Sequence, residues 1–194
     1  RSSAASDVYK RQRLGCDVVH VNATPDGRFA HPPEPTAENL ASLGDTVREH
    51  GADIGLAQDP DADRLALIDE RGTYIGEEYT LALAARHVFA TRPGPAATNL
   101  STSRMIDDLA RAAGGPCVVH RTPVGEAHVA QAVIEKGCVI GGEGNGGVID
   151  PRVVPVRDSF AAIGLVLDLL AAAGQPLSAL VAQIPRYTMV KQKF

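Results

Sequence analysis

The stretch ATNLSTSRMIDDLARAAGGPCVVHRTPVGEAHVAQAVIEKGCVIGGEGNGG, residues 97–147, decides the fold class. ATNL at 97–100, CVVH at 117–120 and CVIGG at 138–142 are short runs with the composition of strands. Between them, Met105, Leu109 and Ala113, then Val129 and Val133, recur every four residues, the spacing of one helical face. Strands that alternate with helices are joined by crossovers, so the sheet is expected to be largely parallel and covered on both faces.

The same rhythm continues outward. Toward the N-terminus come a helix from about Glu77 to Phe89, the runs LALID at 65–69 and DIGLAQ at 53–58, a helix carrying Leu40, Leu43 and Val47, and the run DVVHVN at 17–22. Pro25 to Pro35 reads as a turn-rich connection, with Thr36 as N-cap of the helix that follows. Toward the C-terminus, Phe160, Ile163, Leu167 and Leu170 mark one helix and Leu177, Leu180, Val181 and Ile184 another, and Tyr187 to Lys191 starts a further strand. The expected class is α/β: mixed, largely parallel sheets flanked by helices, in two consecutive similar domains. The turn DERGTYIG at 69–76 divides them, giving 13–75 and 76–185, with 186–194 leading onward. Residues 1–12, RSSAASDVYKRQ, have no apolar periodicity and read as a disordered tail or a junction.

Composition narrows the function. The 194 residues are 44% hydrophobic and 22% charged, ordinary for a globular protein. Nineteen Lys and Arg against 23 Asp and Glu leave a net charge of -4, which offers no basic surface to a nucleic acid. No apolar run reaches the roughly 18 residues of a membrane span or forms a secretory leader, so no membrane partner is expected. Cys16, Cys117 and Cys138 lie far apart without a Cys-x-x-Cys pair, which fits a reduced, cytoplasmic setting. With no Trp, four Phe and four Tyr, few rings are available for stacking, so a polar ligand must be held by hydrogen bonds and charge.

Three segments carry chemistry. In DPDADR at 59–64, Asp59, Asp61 and Asp63 alternate directly after an apolar run. Three such carboxylates repel one another unless a cation neutralises them, and oxygen-only ligands favour Mg²⁺ or Ca²⁺ over zinc. Arg64 adds a charge suited to a phosphate oxygen or to bracing the loop. A solvated acidic turn is the plain alternative. A calcium loop of the EF-hand kind matches at Asp59, Asp61, Asp63 and Glu70, but has Arg64 where glycine is required and strand-like flanks where helices belong. In GGEGNGG at 141–147, Glu143 can accept two hydroxyl protons and Asn145 can donate and accept, a pair suited to a vicinal diol. The glycines there let the backbone approach a ligand closely and adopt positive φ, against the alternative of a flexible hairpin turn with nothing bound. In RTPVGEAHV at 121–129, Thr122 and Gly125 mark a strand-to-helix turn whose free amides can hold a phosphate, with Arg121 and His128 as possible helpers. A lone histidine there is more often a surface helix residue than a ligand.

Taken in order, DPDADR, RTPVGEAHV and GGEGNGG resemble the α-D-phosphohexomutase family, from about Asp17 to the C-terminus. The resemblance implies four domains in a complete enzyme, with 13–75 as part of the second and 76–185 as the third. It implies Mg²⁺ bound by Asp59, Asp61 and Asp63, Arg64 supporting that loop, and a sugar phosphate bound through Glu143, Asn145, Thr122 and Gly125. The implied reaction moves phosphate between O1 and O6 of a hexose or hexosamine through a phosphoserine enzyme and a bisphosphorylated sugar. The phosphoserine loop of the first domain and the phosphate-holding loop of the fourth are both expected outside this sequence, so the chain by itself is expected to be inactive. Many members have Ser at the position of Asn145 and His at that of Gly147. The GEGNGG form is most similar to phosphoglucosamine mutases, especially archaeal ones. Phosphoglucomutases and phosphomannomutases are the alternative, and a non-catalytic module for divalent metal or sugar is another.

Overall fold

The structure is a computed structural model that describes residues 14–24 and 26–188. It divides into two compact units, Arg1–Glu34 and Pro35–Phe194. The segments on either side of the 69–76 turn therefore share one unit. In the first unit the described residues form turns and bends, without helix or strand. The strand expected at 17–22 is absent: Val19 and Val21 are 52% and 39% exposed, and no ladder pairs them among the described residues. A β-branched composition alone does not make a strand, because its backbone groups need a hydrogen-bonded neighbour. The expectations for residues 1–12, for Pro25 and for 189–194 fall outside the described residues. Tyr187 and Thr188 are not in a strand.

The second unit runs α1 (Ala41–His50), β1 (Ile54–Gln58), β2 (Leu65–Asp69), α2 (Glu78–Thr91), β3 (Ala96–Asn99), α3 (Met105–Ala113), β4 (Val119–Thr122), α4 (Glu126–Glu135), β5 (Ile140–Glu143), β6 (Gly147–Ile149), α5 (Ser159–Ala173) and α6 (Leu177–Ala182). Helix α1 starts later than Thr36 suggested. The Thr36 hydroxyl accepts the Asn39 amide at 3.3 Å, capping a turn that precedes the helix. Helix α5 is properly capped, its Asp158 carboxylate accepting the Ala161 amide at 2.8 Å.

Strands β1 and β2 pair antiparallel, because the 59–64 connection is too short for a parallel crossover. The other sheet has the order β4-β3-β5-β6, with β3 parallel to both β4 and β5 and β6 folded back antiparallel on β5. Strand β6 was not anticipated, since its first residue, Gly147, is the last of the glycine run. Side-chain alternation sets the layers. Leu65 and Leu67 of β2 enter the core shared with α2 and α5, while Ala66 and Ile68 face Leu40 and Val47 beside α1. In the four-stranded sheet, Ala96 and Ile140 join the α2, α3 and α5 side, and Ala97 and Ile149 pack with Val129 and Val133 of α4. Helices thus cover both faces, as a parallel core requires.

Candidate functional site

The β1–β2 turn is built around Asp59. Its Oδ1 accepts the amides of Asp63 and Arg64 at 3.2 and 3.1 Å, and its Oδ2 accepts Arg64 Nε at 2.6 Å. Arg64 therefore braces the loop. Ala62 sits in the left-handed region at φ 59°, a costly place for a residue with a Cβ. Its carbonyl is held by the amide of Ser159 at 3.2 Å and the hydroxyl at 2.6 Å, so the α5 N-terminus fixes the loop. One oxygen from each of Asp59, Asp61 and Asp63 lies within 4.8 Å of the others, with Asp59 buried, Asp63 half-buried and Asp61 exposed. Burial pushes the Asp63 carboxyl up to about 6, the charges of Asp59 and Asp61 adding to it and Arg157 opposing it. Burial also acts on Asp59, but the hydrogen bonds and charge of Arg64 outweigh it and hold that carboxyl below its ordinary value. An oxygen-only cluster whose charge Arg64 and Arg157 neutralise only in part suits a hard divalent cation.

The glycine-rich run is the turn between β5 and β6, and it is buried. A Cβ on Gly144 would lie 2.4 Å from the Glu78 carboxylate, and one on Gly146, at φ 92°, 2.6 Å from the Leu65 carbonyl. Gly146 thus meets backbone at a positive φ that disfavours any other residue, and the hairpin's close approach is to the protein's own atoms. Glu143, at the end of β5, is 5% exposed; its Oε1 accepts Asn99 Nδ2 at 2.5 Å and its Oε2 accepts Arg157 Nη1 at 2.7 Å. The Thr102 hydroxyl donates to Asn99 Oδ1 at 2.8 Å and accepts the Gly144 amide at 2.9 Å. Asn145 Oδ1 accepts the Gly147 amide at 3.2 Å, leaving its nitrogen as the free donor. The Leu65 amide donates to the Gly146 carbonyl at 3.0 Å, which sets this hairpin against the carboxylate loop.

Arg157 joins the two, though nothing in its local sequence marks it. Its guanidinium bonds Asp63 Oδ2 through Nη2 and Glu143 Oε2 through Nη1, while its backbone amide donates to Glu126 Oε1 at 2.7 Å. The segment PRVVPVRD around it carries no motif. Only the fold brings Arg157 to Asp63, 94 residues earlier. Thr122 is buried with its hydroxyl on the Pro123 carbonyl at 2.9 Å, and Gly125 precedes α4 at φ 126°. Arg121 is no phosphate arm. It donates to the carbonyls of Asn99, Thr102 and Ser103 and to Asp107, clamping the β3–α3 connection. His128 is an exposed residue of α4.

The sequence matches the family model of phosphoglucomutase/phosphomannomutase alpha/beta/alpha domain III over residues 76–187 and that of domain II over residues 2–72. The chain belongs to this family. It is 43% identical over 183 residues to a probable phosphoglucosamine mutase of Methanopyrus kandleri, covering 93% of this chain and 40% of that protein. A phosphoglucomutase/phosphomannomutase of Thermococcus kodakarensis is likewise 43% identical, over 95% of this chain and 41% of its own length. The crystal structure of a phosphoglucomutase/phosphomannomutase family protein from Burkholderia thailandensis superposes with a TM-score of 0.86 at 26% identity, covering 96% of this chain and 41% of that one. The chain thus spans about 40% of the length of the curated relatives it matches. Among the described residues of this family member, no helix is long and apolar enough to cross a membrane.

Proposed function

We propose that this chain supplies the metal loop and the sugar-reading hairpin of a cytoplasmic phosphohexomutase, an isomerase that interconverts hexose or hexosamine 1-phosphates and 6-phosphates. The observation that carries this reading is the meeting of Asp63 and Glu143 on one guanidinium, which sets a cation-suited cluster beside a hydroxyl-suited one. In this reading residues 13–75 are part of the second domain and 76–185 the third, 186–194 lead to the fourth, and the phosphoserine belongs to the first. Asp59, Asp61 and Asp63 would hold Mg²⁺, which when bound neutralises charge on a transferring phosphoryl group. Arg64 keeps Asp59 oriented. Glu143 and Asn145 read neighbouring sugar hydroxyls, the first as acceptor and the second through its free amide nitrogen. The Thr122–Gly125 turn offers backbone amides to the substrate at the start of α4.

The GEGNGG hairpin and the names of the relatives favour a hexosamine substrate. A second reading has its own support: a relative in Thermococcus kodakarensis named phosphopentomutase is 38% identical over 94% of this chain and 40% of its own length. Coupled assays of the whole protein from its gene, with glucosamine 6-phosphate, glucose 1-phosphate, mannose 1-phosphate and ribose 1-phosphate, decide between them. Highest kcat/KM is expected on the hexosamine. Preference for ribose 1-phosphate would overturn the hexosamine assignment, and no turnover on any of the four would overturn the mutase itself.

A further inference from the structure

Through its guanidinium, Arg157 holds one carboxylate from each functional loop. Its side chain is 16% exposed, Nη2 lies on Asp63, and Nη1 lies on Glu143 at 2.7 Å. Its Nε makes no hydrogen bond and stands 3.5 Å from Glu126 Oε2. Around the junction, Asp59, Asp63, Glu126 and Glu143 pair with the guanidiniums of Arg64 and Arg157. Arg64 binds Asp59 inside its own turn by a side-chain and a backbone bond to the same carboxylate, and its Nε stands 3.8 Å from Asp63 Oδ1. Arg157 approaches from a different element, just before α5, and divides its charge between two carboxylates that belong to different loops. A planar fork makes two such bonds at once, where an ammonium makes one strong contact.

We propose that Arg157 is a positioning residue that couples the carboxylate loop to the Glu143 hairpin: a cation arriving at Asp63 competes for the oxygen Arg157 holds, and the guanidinium then commits to Glu143. The inference rests on the metal reading of Asp59, Asp61 and Asp63 and goes beyond it. Charge taken from Arg157 at one end is given at the other, so the state of each loop is felt by its neighbour. Glu143 is no ligand of the cation, yet its charge governs how firmly Arg157 holds Asp63. The coupling has a visible endpoint in Asn99, whose side-chain amide donates to the far oxygen of Glu143 and touches nothing in the carboxylate loop.

The test is calorimetric titration of the 194-residue chain with Mg²⁺ at pH 8, together with the nitrogen-15 NMR signal of the Asn99 side-chain amide. Arg157→Gln should tighten Mg²⁺ about fivefold, the scale of removing one nearby unit charge in a water-like dielectric. Glu143→Gln should weaken Mg²⁺ severalfold in the wild-type background and leave it unchanged beside Arg157→Gln. Mg²⁺ should move the Asn99 signal in the wild type alone. Arg157→Lys keeps the charge near its place without the fork, so it should retain wild-type affinity and lose the Asn99 response. An effect of Glu143→Gln that is equal in both backgrounds, or an Asn99 response that survives in both Arg157 variants, overturns the coupling while leaving the metal site standing. Heats that match between wild type and Asp61→Asn overturn the metal reading and the coupling with it.

Discussion

At Asp63, burial and two neighbouring carboxylates raise the folded-state carboxyl to about 6, above its ordinary 3.8. The folded chain therefore holds a proton that the unfolded chain has released between these values, and without metal its stability rises as pH falls from 7 toward 4. Asp63→Asn should flatten that part of the profile, as read by melting temperature in chelator. Asp59 acts oppositely, because its lowered carboxyl stabilises the fold above about 3.8 and loses that contribution as pH falls further. Mg²⁺ must displace the Asp63 proton, so its affinity should drop below pH 6. At Glu143 one partner is buried and the other half-buried, and truncation to Ala strands Asn99 Nδ2 and a guanidinium nitrogen. Glu143→Ala should cost about 1 to 3 kcal/mol in urea unfolding, a loss that Gln partly restores. A hydroxyl-reading carboxylate on a slack loop would instead have left stability unchanged.

Among the elements, the β5–β6 turn depends most on its glycines. Gly146→Ala meets the Leu65 carbonyl at 2.6 Å with φ at 92°, so it should destabilise by about 1 to 3 kcal/mol and shift the Leu65 amide resonance. Regular helices were legible beforehand: Met105, Leu109 and Ala113 lie on α3, and Val129 and Val133 on α4, because an amphipathic face is a local property of the chain. The strands at 53–58 and 65–69 were legible as apolar runs, but not their antiparallel pairing, which the short acidic turn imposes. The run at 17–22 had a strand-like β-branched composition and no ladder, since pairing is supplied by another segment rather than by the strand itself. Within the site, the acidic triad and Glu143 announce themselves by charge and spacing. Arg157 does not, as its role exists only after distant segments meet.

For the molecule as a whole, the two buried serines near the site are engaged in structure. Ser159 is fully buried, with its hydroxyl on the Ala62 carbonyl, and Ser103 is buried beside Glu78 and Met105. A phosphoryl carrier must be in line with the sugar phosphate, and such proximity is worth about 7 to 11 kcal/mol of barrier. The 194-residue chain should therefore show background turnover in a coupled mutase assay, and the whole protein should show signal. Turnover by the chain that disappears on mutating Ser101 or Ser103 would assign the nucleophile there instead.

The 94-residue separation between Asp63 and Arg157 also orders events during synthesis. The acidic turn leaves the ribosome long before its basic partner, so it remains solvated and self-repelling while α2, the central strands and α4 are made. Closure of the site must wait for the α5 N-terminus, which brings Ser159 to Ala62 and Arg157 to Asp63 together. Contacts this remote in sequence form late and slowly. A nascent chain arrested before residue 157 should thus expose the 59–64 turn to proteases, and resistance there should appear only once α5 has docked.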